Sequence, residues 1–153
     1  MASLKIERGE WVVVCDGAKA LILQNAGDAR FPDVRTRESY EEKHPPTHEQ
    51  GTDEPGRTQA SVGSARSAME ETDWHEQAER NFLAKLASRL DAAVTSSEIA
   101  SMILVAPPRA LGMIRQAYSP HLRGAIRVEL DKDYVRLPVP EIETHLCGRR
   151  RRR

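Results

Sequence analysis

The chain has 153 residues, the length of one typical domain, so a second hydrophobic core is not expected. Five of its 23 basic residues form the run at 149–153, which leaves 18 basic against 23 acidic residues elsewhere, a net of about −5. No apolar run approaches the roughly 20 residues of a membrane span, no secretory signal is visible, and Cys15 and Cys147 do not make a disulfide framework. We therefore expect a cytoplasmic protein with one domain at residues 1–148 and a basic tail.

Three strands are predicted near the start of the chain. Residues 11–15 are a short, valine-rich apolar run, which is typical of a strand buried on both faces at the centre of a sheet. Asp16 and Gly17 predict a tight turn, and residues 18–24 return as the second arm of a hairpin. Residues 34–40 alternate weakly with charged side chains, which indicates an edge strand.

The regular pattern stops at residues 41–72. Three prolines, three glycines and few large apolar side chains occupy this stretch, so it is typical of a loop that is either functional or disordered. We predict a long mobile loop at residues 42–72. Mobility is expected above all at 42–67, because this part has too little apolar surface to offset the entropy of ordering.

A long amphipathic helix follows the loop. Asp73 is predicted as its N-cap, with Glu76 placed to complete a variant of the capping box. An apolar residue then recurs every four positions, which predicts one helix face packed on a sheet; these residues are Ala78, Phe82, Leu86, Leu90 and Val94.

The remaining pattern predicts a strand, a helix, a strand and a helix. These elements are expected at residues 101–106, 109–118, 126–130 and 140–148. A hairpin followed by right-handed parallel crossovers predicts an α/β fold with a five-stranded mixed sheet in the order 3-2-1-4-5, a ribonuclease H-like arrangement with flanking helices. Val13, Leu104, Phe82 and Leu86 are expected to meet in its core.

Asp, His and Cys often bind metals or act in catalysis, but the positions of these residues in this sequence favour structural roles. Asp16 suits turn chemistry, and the fourth strand ends in Pro-Pro without the second carboxylate of a two-metal nuclease. His44 and His48 lie in a proline-rich stretch that would not aim both rings at one ion. Cys15, in an apolar strand, is expected to be a buried hydrophobe. No catalytic residue, metal site or cofactor is predicted, and a non-enzymatic protein is favoured.

Five segments, in this order, resemble the bacterial host attachment protein family. The resemblance covers residues 11–146, and the segments that carry it are WVVVCDGAKALILQ, PGRTQASVGSARSAME, HEQAERNFLAKLASRL, LVAPPRALGMIR and ELDKDYVRLPVPEIETHL. That family is similar in fold to the central domain of archaeal and eukaryotic class-1 peptide release factors. The resemblance therefore implies a mobile loop at the head of the long helix.

In release factors this loop carries a Gly-Gly-Gln tip, which approaches the peptidyl-tRNA ester and stabilises the transition state. This chain has Gly-Arg-Thr-Gln at 56–59 and Gly-Ser-Ala-Arg at 63–66 instead, so ester hydrolysis is not carried over. The loop does offer hydrogen-bond donors that suit phosphate. The candidate ligand-binding residues are Arg57, Gln59, Ser61, Gly63, Ser64 and Arg66.

Three functions remain open from the sequence. The favoured one is a translation-linked domain that binds the ribosome, tRNA or rRNA; the alternatives are a factor required directly or indirectly for attachment to host cells, and a hydrolase acting on peptidyl-tRNA or RNA. Nucleic-acid affinity is expected to be weak and electrostatic, centred on Arg57, Arg66 and the tail at 149–153, because no aromatic stacking platform is evident. Composition does not indicate an oligomeric state.

Overall fold

The structure, a computed structural model, describes residues 4–42 and 64–148, with side chains described from residue 74 onward in the second range. Five strands and four helices lie in these residues. In chain order they are β1 (Trp11–Cys15), β2 (Lys19–Asn25), β3 (Val34–Glu41), α1 (Ser64–Thr95), β4 (Met102–Val105), α2 (Pro108–Arg115), α3 (Pro120–Ala125), β5 (Ile126–Leu130) and α4 (Val139–Cys147). No helix among them is long and apolar enough to cross a membrane.

The five strands form one mixed sheet in the order β3-β2-β1-β4-β5. β2 runs antiparallel to β1 and to β3, whereas β4 runs parallel to β1 and to β5. All five residues of β1 are buried, because helices cover both faces of this middle strand. The predicted single α/β domain, its strand order and its central strand are confirmed.

Two cores lie on opposite faces of the sheet. On one face α1, α2 and α3 pack over Val13 and Leu104, and this core contains Phe82 and Leu86 as predicted. On the other face α4 and the N-terminal segment cover Val12, Val14, Ile103 and Val105. The alternation of β1 and β4 side chains between two apolar layers accounts for their continuous apolar sequence.

The long helix begins earlier than the sequence predicts. α1 starts at Ser64, so Asp73 lies within the helix and is not its N-cap, and residues 64–72 are helical rather than part of a loop. No proline or glycine occurs between Ser64 and Thr95, and the first turns are rich in Ala, Met, Glu and Arg, which favour helix. Propensity therefore extends the helix beyond the residues that an apolar stripe predicts. Residues 43–63, where the rest of the mobile loop is predicted, lie outside the described residues.

The connection from β4 to β5 contains one helix more than predicted. α2 ends at Arg115, three residues earlier than expected, and the short helix α3 begins at Pro120. Ser119 is the N-cap of α3, since its hydroxyl accepts a hydrogen bond from the Leu122 amide at 3.0 Å. The Ser119-Pro120 pair, which directly follows the helix predicted at 109–118, is thus a helix start, with serine at the N-cap and proline in the first turn.

An ion pair with a buried carboxylate closes the amino end of the sheet, where β1, β4 and β5 begin. Glu10, whose side chain is 1% exposed, accepts hydrogen bonds from Arg127 at 2.8 and 2.9 Å, from the Glu7 amide at 3.0 Å and from the Ser101 hydroxyl at 2.7 Å. Burial raises the pKa of Glu10, but these donors outweigh it and the pKa lies below its ordinary value. The pair joins the N-terminal segment to β4 and β5.

A second charged cluster covers the buried Trp11 at this end. Arg37 and Arg89 lie over the indole ring, 5.2 and 5.6 Å from its centroid. Arg89 pairs with Glu38 at 2.6 Å and Glu98 at 3.3 Å, and Arg37 pairs with Glu98 at 2.7 Å. The cluster ties edge strand β3 to the end of α1.

Candidate functional site

A cleft of about 330 Å³ lies at the carboxyl end of the sheet, where β1, β4 and β5 end. Ligands of open α/β sheets bind in crevices outside the carboxyl ends of the strands. The charged side chains that line the cleft come from the turn after β1, from α1, from the start of α2 and from the segment after β5. They are Asp16, Glu79, Arg109, Asp133 and Arg136.

The hairpin turn after β1 forms one wall of this carboxyl-end cleft. Asp16 Oδ1 accepts hydrogen bonds from the Ala18 and Lys19 amides, both at 2.8 Å, which confirms its predicted turn role. Gly17 has no side chain where α1 passes, and a Cβ there would lie 2.7 Å from Cγ of Glu79. Glycine at 17 therefore allows α1 to approach the turn closely.

An ion pair between α1 and α2 lies beside this turn. Arg109, at the start of α2, donates from Nε and Nη2 to Oε1 of Glu79 at 3.1 and 3.0 Å. Its side chain remains 63% exposed, so the pair contributes little to stability, yet it orients the guanidinium toward the cleft. Asp133 and Arg136, both exposed, follow β5 and complete the polar lining.

Two features of the described residues concern metal binding and thiol chemistry. No group of three or more His, Cys, Asp or Glu side chains that could hold a metal ion occurs there. Cys15 is buried, as predicted, and burial raises the pKa of its thiol to about 12, so the nucleophilic thiolate does not form at neutral pH.

The N-terminal part of α1 leads away from the carboxyl end of the sheet. Glu79 already packs against the turn at that end, and the helix before it, from Ser64 to Ala78, amounts to about 22 Å at 1.5 Å per residue. Trp74 belongs to the same apolar stripe as Ala78 and Phe82, but it is 49% exposed whereas Phe82 is buried. The stripe thus continues beyond the sheet that buries it.

Trp74 is an exposed aromatic that sequence reasoning missed. Its ring contacts that of His75 edge-on, with the centroids 5.4 Å apart. The sequence predicts no aromatic stacking platform, and the structure exposes this indole on α1. The sequence could have placed Trp74 on the apolar face of α1, because it lies four residues before Ala78.

A second pocket, of about 380 Å³, lies between the end of β3 and α1. Phe82 and Leu86 form its apolar lining, while Lys85 and Glu42 lie at its sides, 3.8 Å apart at their charged atoms. Glu42 also donates its amide to the Ala18 carbonyl at 2.8 Å, which fixes the end of β3 beside the hairpin turn.

The candidate ligand residues predicted from the sequence are not brought together in the described part of the chain. Arg57, Gln59, Ser61 and Gly63 lie outside the described residues. Ser64 and Arg66 lie in the first turn of α1 rather than in a loop. Their predicted role in binding stays a prediction. Arg109, Asp133 and Arg136 were missed, although the rule that ligands bind at strand ends would have pointed to them.

Comparison with known proteins identifies the family. The model of a family described as "Protein required for attachment to host cells" matches residues 11–146, so the chain belongs to this family. No curated protein matches the chain.

Proposed function

We propose that this member of the host attachment family is a non-enzymatic, cytoplasmic RNA-binding domain that associates with the ribosome. In this proposal the fold is ribonuclease H-like and related to the central domain of class-1 release factors, and it has lost the Gly-Gly-Gln tip. The binding face consists of the N-terminal part of α1. A basic tail at residues 149–153 adds a further phosphate contact.

The exposed Trp74 is the observation that carries the proposal. An indole that is 49% exposed on a helix leading away from the domain offers a face on which a nucleobase can stack. Stacking of this kind is sequence-tolerant, because every base has a π-face. It suits a domain that recognises single-stranded RNA by shape and charge.

Arginine side chains near the same end support the electrostatic part of the proposal. Arg66 lies in the first turn of α1, and Arg57 precedes it in the sequence. Guanidinium groups suit the phosphates that flank a stacked base.

Binding without catalysis follows from the sequence of the segment before α1. Residues 56–59 are Gly-Arg-Thr-Gln and do not contain the Gly-Gly pair that close approach to a peptidyl-tRNA ester requires. We therefore expect ester cleavage no faster than in buffer. Cleavage that disappears in Gln59→Ala would favour the hydrolase alternative.

The test is a titration of the full chain with a single-stranded RNA of mixed sequence. Only two tryptophans are present, and Trp11 is buried, so quenching of the exposed indole reports on Trp74. Trp74→Ala should weaken binding by about 5- to 100-fold, whereas Trp74→Phe keeps a stacking ring and should retain most of the affinity. Anisotropy of labelled RNA measures all variants.

Phe31→Ala is the matched control. Phe31 is 63% exposed with Arg30 over its ring at 5.5 Å, but it lies in the loop between β2 and β3, at the opposite end of the sheet. Its removal should leave the RNA affinity unchanged. Equal losses in Trp74→Ala and Phe31→Ala, or none in either, would contradict the proposal.

Sedimentation with ribosomes at low and high salt tests the proposed partner. Binding should fall steeply with salt, and deletion of residues 149–153 should reduce the slope because fewer counterions are released. Retention on ribosomes with an unaltered slope after both this deletion and Trp74→Ala would show that the contact lies elsewhere.

Attachment to host cells, which the family description names, remains the alternative. If Trp74→Ala abolishes RNA binding but fully restores attachment to a deletion strain, RNA binding does not explain the family's description. Loss of both together would support an indirect role in attachment.

A further inference from the structure

We propose that the carboxyl-end cleft binds a free α-amino acid with an apolar side chain, recognised as a zwitterion. This site is separate from the proposed RNA contact at Trp74, and its occupant is a small molecule rather than a nucleic acid. The inference therefore goes beyond the proposed function and does not depend on it.

The balance of charge in the cleft selects this class of ligand. Three carboxylates, Asp16, Glu79 and Asp133, face two guanidiniums, Arg109 and Arg136. Glu79 and Arg109 already pair at 3.0 Å, so the charges left for a ligand are two negative and one positive. A polyanion such as a nucleoside triphosphate is repelled by this lining. A molecule that carries an ammonium close to a carboxylate matches both signs.

The donors and acceptors of the cleft match the two ends of an amino acid. An ammonium has three donors and needs acceptors, which the Asp16 and Asp133 carboxylates supply. A carboxylate needs paired N–H donors, which the planar Arg136 guanidinium presents in a fork. Arg109 donates from Nε and Nη2 to Glu79, which leaves the donors of its Nη1 group for a ligand.

The uncharged part of the lining is apolar. Ala18, Pro107, Ala110 and Met113 contribute it. Met113 is suited to contact side chains of different shape, since its thioether is flexible and polarisable. The volume of about 330 Å³ is at the small end for ligand pockets, which fits an amino acid better than a cofactor.

The walls of the cleft are held in place before any ligand arrives. Two amide hydrogen bonds at 2.8 Å fix Asp16, the close contact with Gly17 positions Glu79, and Glu79 in turn orients Arg109. Preorganisation of this kind reduces the entropy lost on binding.

The experiment measures amide chemical shifts of Gly17, Ala18 and Ala110 in the full chain during titration with three related molecules. L-leucine is the zwitterion, 3-methylbutylamine lacks its carboxylate, and 4-methylpentanoate lacks its ammonium. We expect saturable shifts with L-leucine and a Kd about tenfold weaker or worse for each truncated molecule, because each loses one charge-assisted contact.

Charge-neutral variants assign the two ends of the ligand. Arg136→Gln should weaken L-leucine about tenfold and leave the Kd of 3-methylbutylamine unchanged, whereas Asp133→Asn should weaken both. Arg35→Gln is the control, since Arg35 pairs with Asp33 at 2.8 Å on edge strand β3, outside the cleft. It should leave all three titrations unchanged.

Two results would overturn the inference. If 3-methylbutylamine binds as tightly as L-leucine, the cleft is a cation site and Arg136 plays no part in recognition. If none of the three molecules shifts these amides, the cleft does not bind this ligand class. RNA titrations of the same variants remain informative in either case, because the RNA proposal rests on Trp74.

Discussion

The two ends of the sheet use charged side chains in different ways. At the amino end, the Glu10 carboxylate is buried and receives four hydrogen bonds, and Arg127 joins it to β5. At the carboxyl end, Arg109 and Arg136 remain exposed around an open cleft of about 330 Å³. Charge at the amino end holds elements together, and charge at the carboxyl end is accessible to a ligand.

This difference follows from where the chain connects its elements. The N-terminal segment crosses the amino end and supplies backbone partners, such as the Lys5 carbonyl that accepts from Arg127 at 2.6 Å. The carboxyl ends of β1, β4 and β5 instead lead into turns and the start of α2, which diverge around a crevice. Four predictions test the comparison.

The largest loss of stability is expected in the hydrophobic core, which lies between the amino and carboxyl ends of the sheet. Leu104→Ala removes a fully buried side chain from the helix-covered face of β4 and should lower the free energy of unfolding by about 2 to 5 kcal/mol. Leu104→Met preserves volume and should cost less than about 1.5 kcal/mol. Urea denaturation measures both. A loss under about 0.5 kcal/mol in Leu104→Ala would contradict the central position of β4.

The second prediction compares the stability lost on removing one arginine at the amino end of the sheet and one at its carboxyl end. Arg127→Ala leaves the buried Glu10 carboxylate without its half-exposed cation and should lower the free energy of unfolding by about 1.5 to 3 kcal/mol. Arg136→Ala removes an exposed cleft arginine and should change it by less than about 0.5 kcal/mol. Similar losses in the two variants would show that the ends do not differ in this respect.

The third prediction concerns pH. Because the pKa of Glu10 is lower in the folded protein than the ordinary 4.5, its ionised form stabilises the fold above that pH. This contribution is lost as the pH falls through the folded pKa. The stability difference between the native chain and Glu10→Gln should therefore be constant between pH 7 and about 5.5 and shrink below about 4.5. If this stability difference grows as the pH falls, the pKa of Glu10 is not lowered by folding.

The smallest effect lies in the cleft wall. Gly17→Ala places a Cβ 2.7 Å from Cγ of Glu79, and the displacement should cost about 1 kcal/mol. Glu79→Ala removes the obstructing atoms, so the double variant should recover part of that cost. A double-mutant cycle by urea denaturation measures this coupling. Additive losses would show that the two residues do not contact each other in solution.

Much of the fold could be predicted from local sequence. The apolar run of β1, the Asp16-Gly17 turn and the charged edge strand β3 each carry their own periodicity, and connection rules convert their order into a strand order. Boundaries were less predictable. α1 begins at Ser64 because helix propensity continues where the apolar stripe becomes irregular, and α3 was hidden by a Ser-Pro pair that serves equally as a stop or a start.

The sequence by itself determined the strand order, the two-sided burial of β1 and β4 and the packing of Phe82 and Leu86 on Leu104, because each depends on a periodicity within a few residues. Only the tertiary structure decided which charges meet. Glu10 and Arg127 are separated by 117 positions and Glu79 and Arg109 by 30, and no local pattern pairs one carboxylate with one guanidinium over such distances. The exposure of Trp74 also depends on the tertiary structure. Apolar residues at every fourth position predict which helix face is buried, but they do not show where the sheet under that face ends.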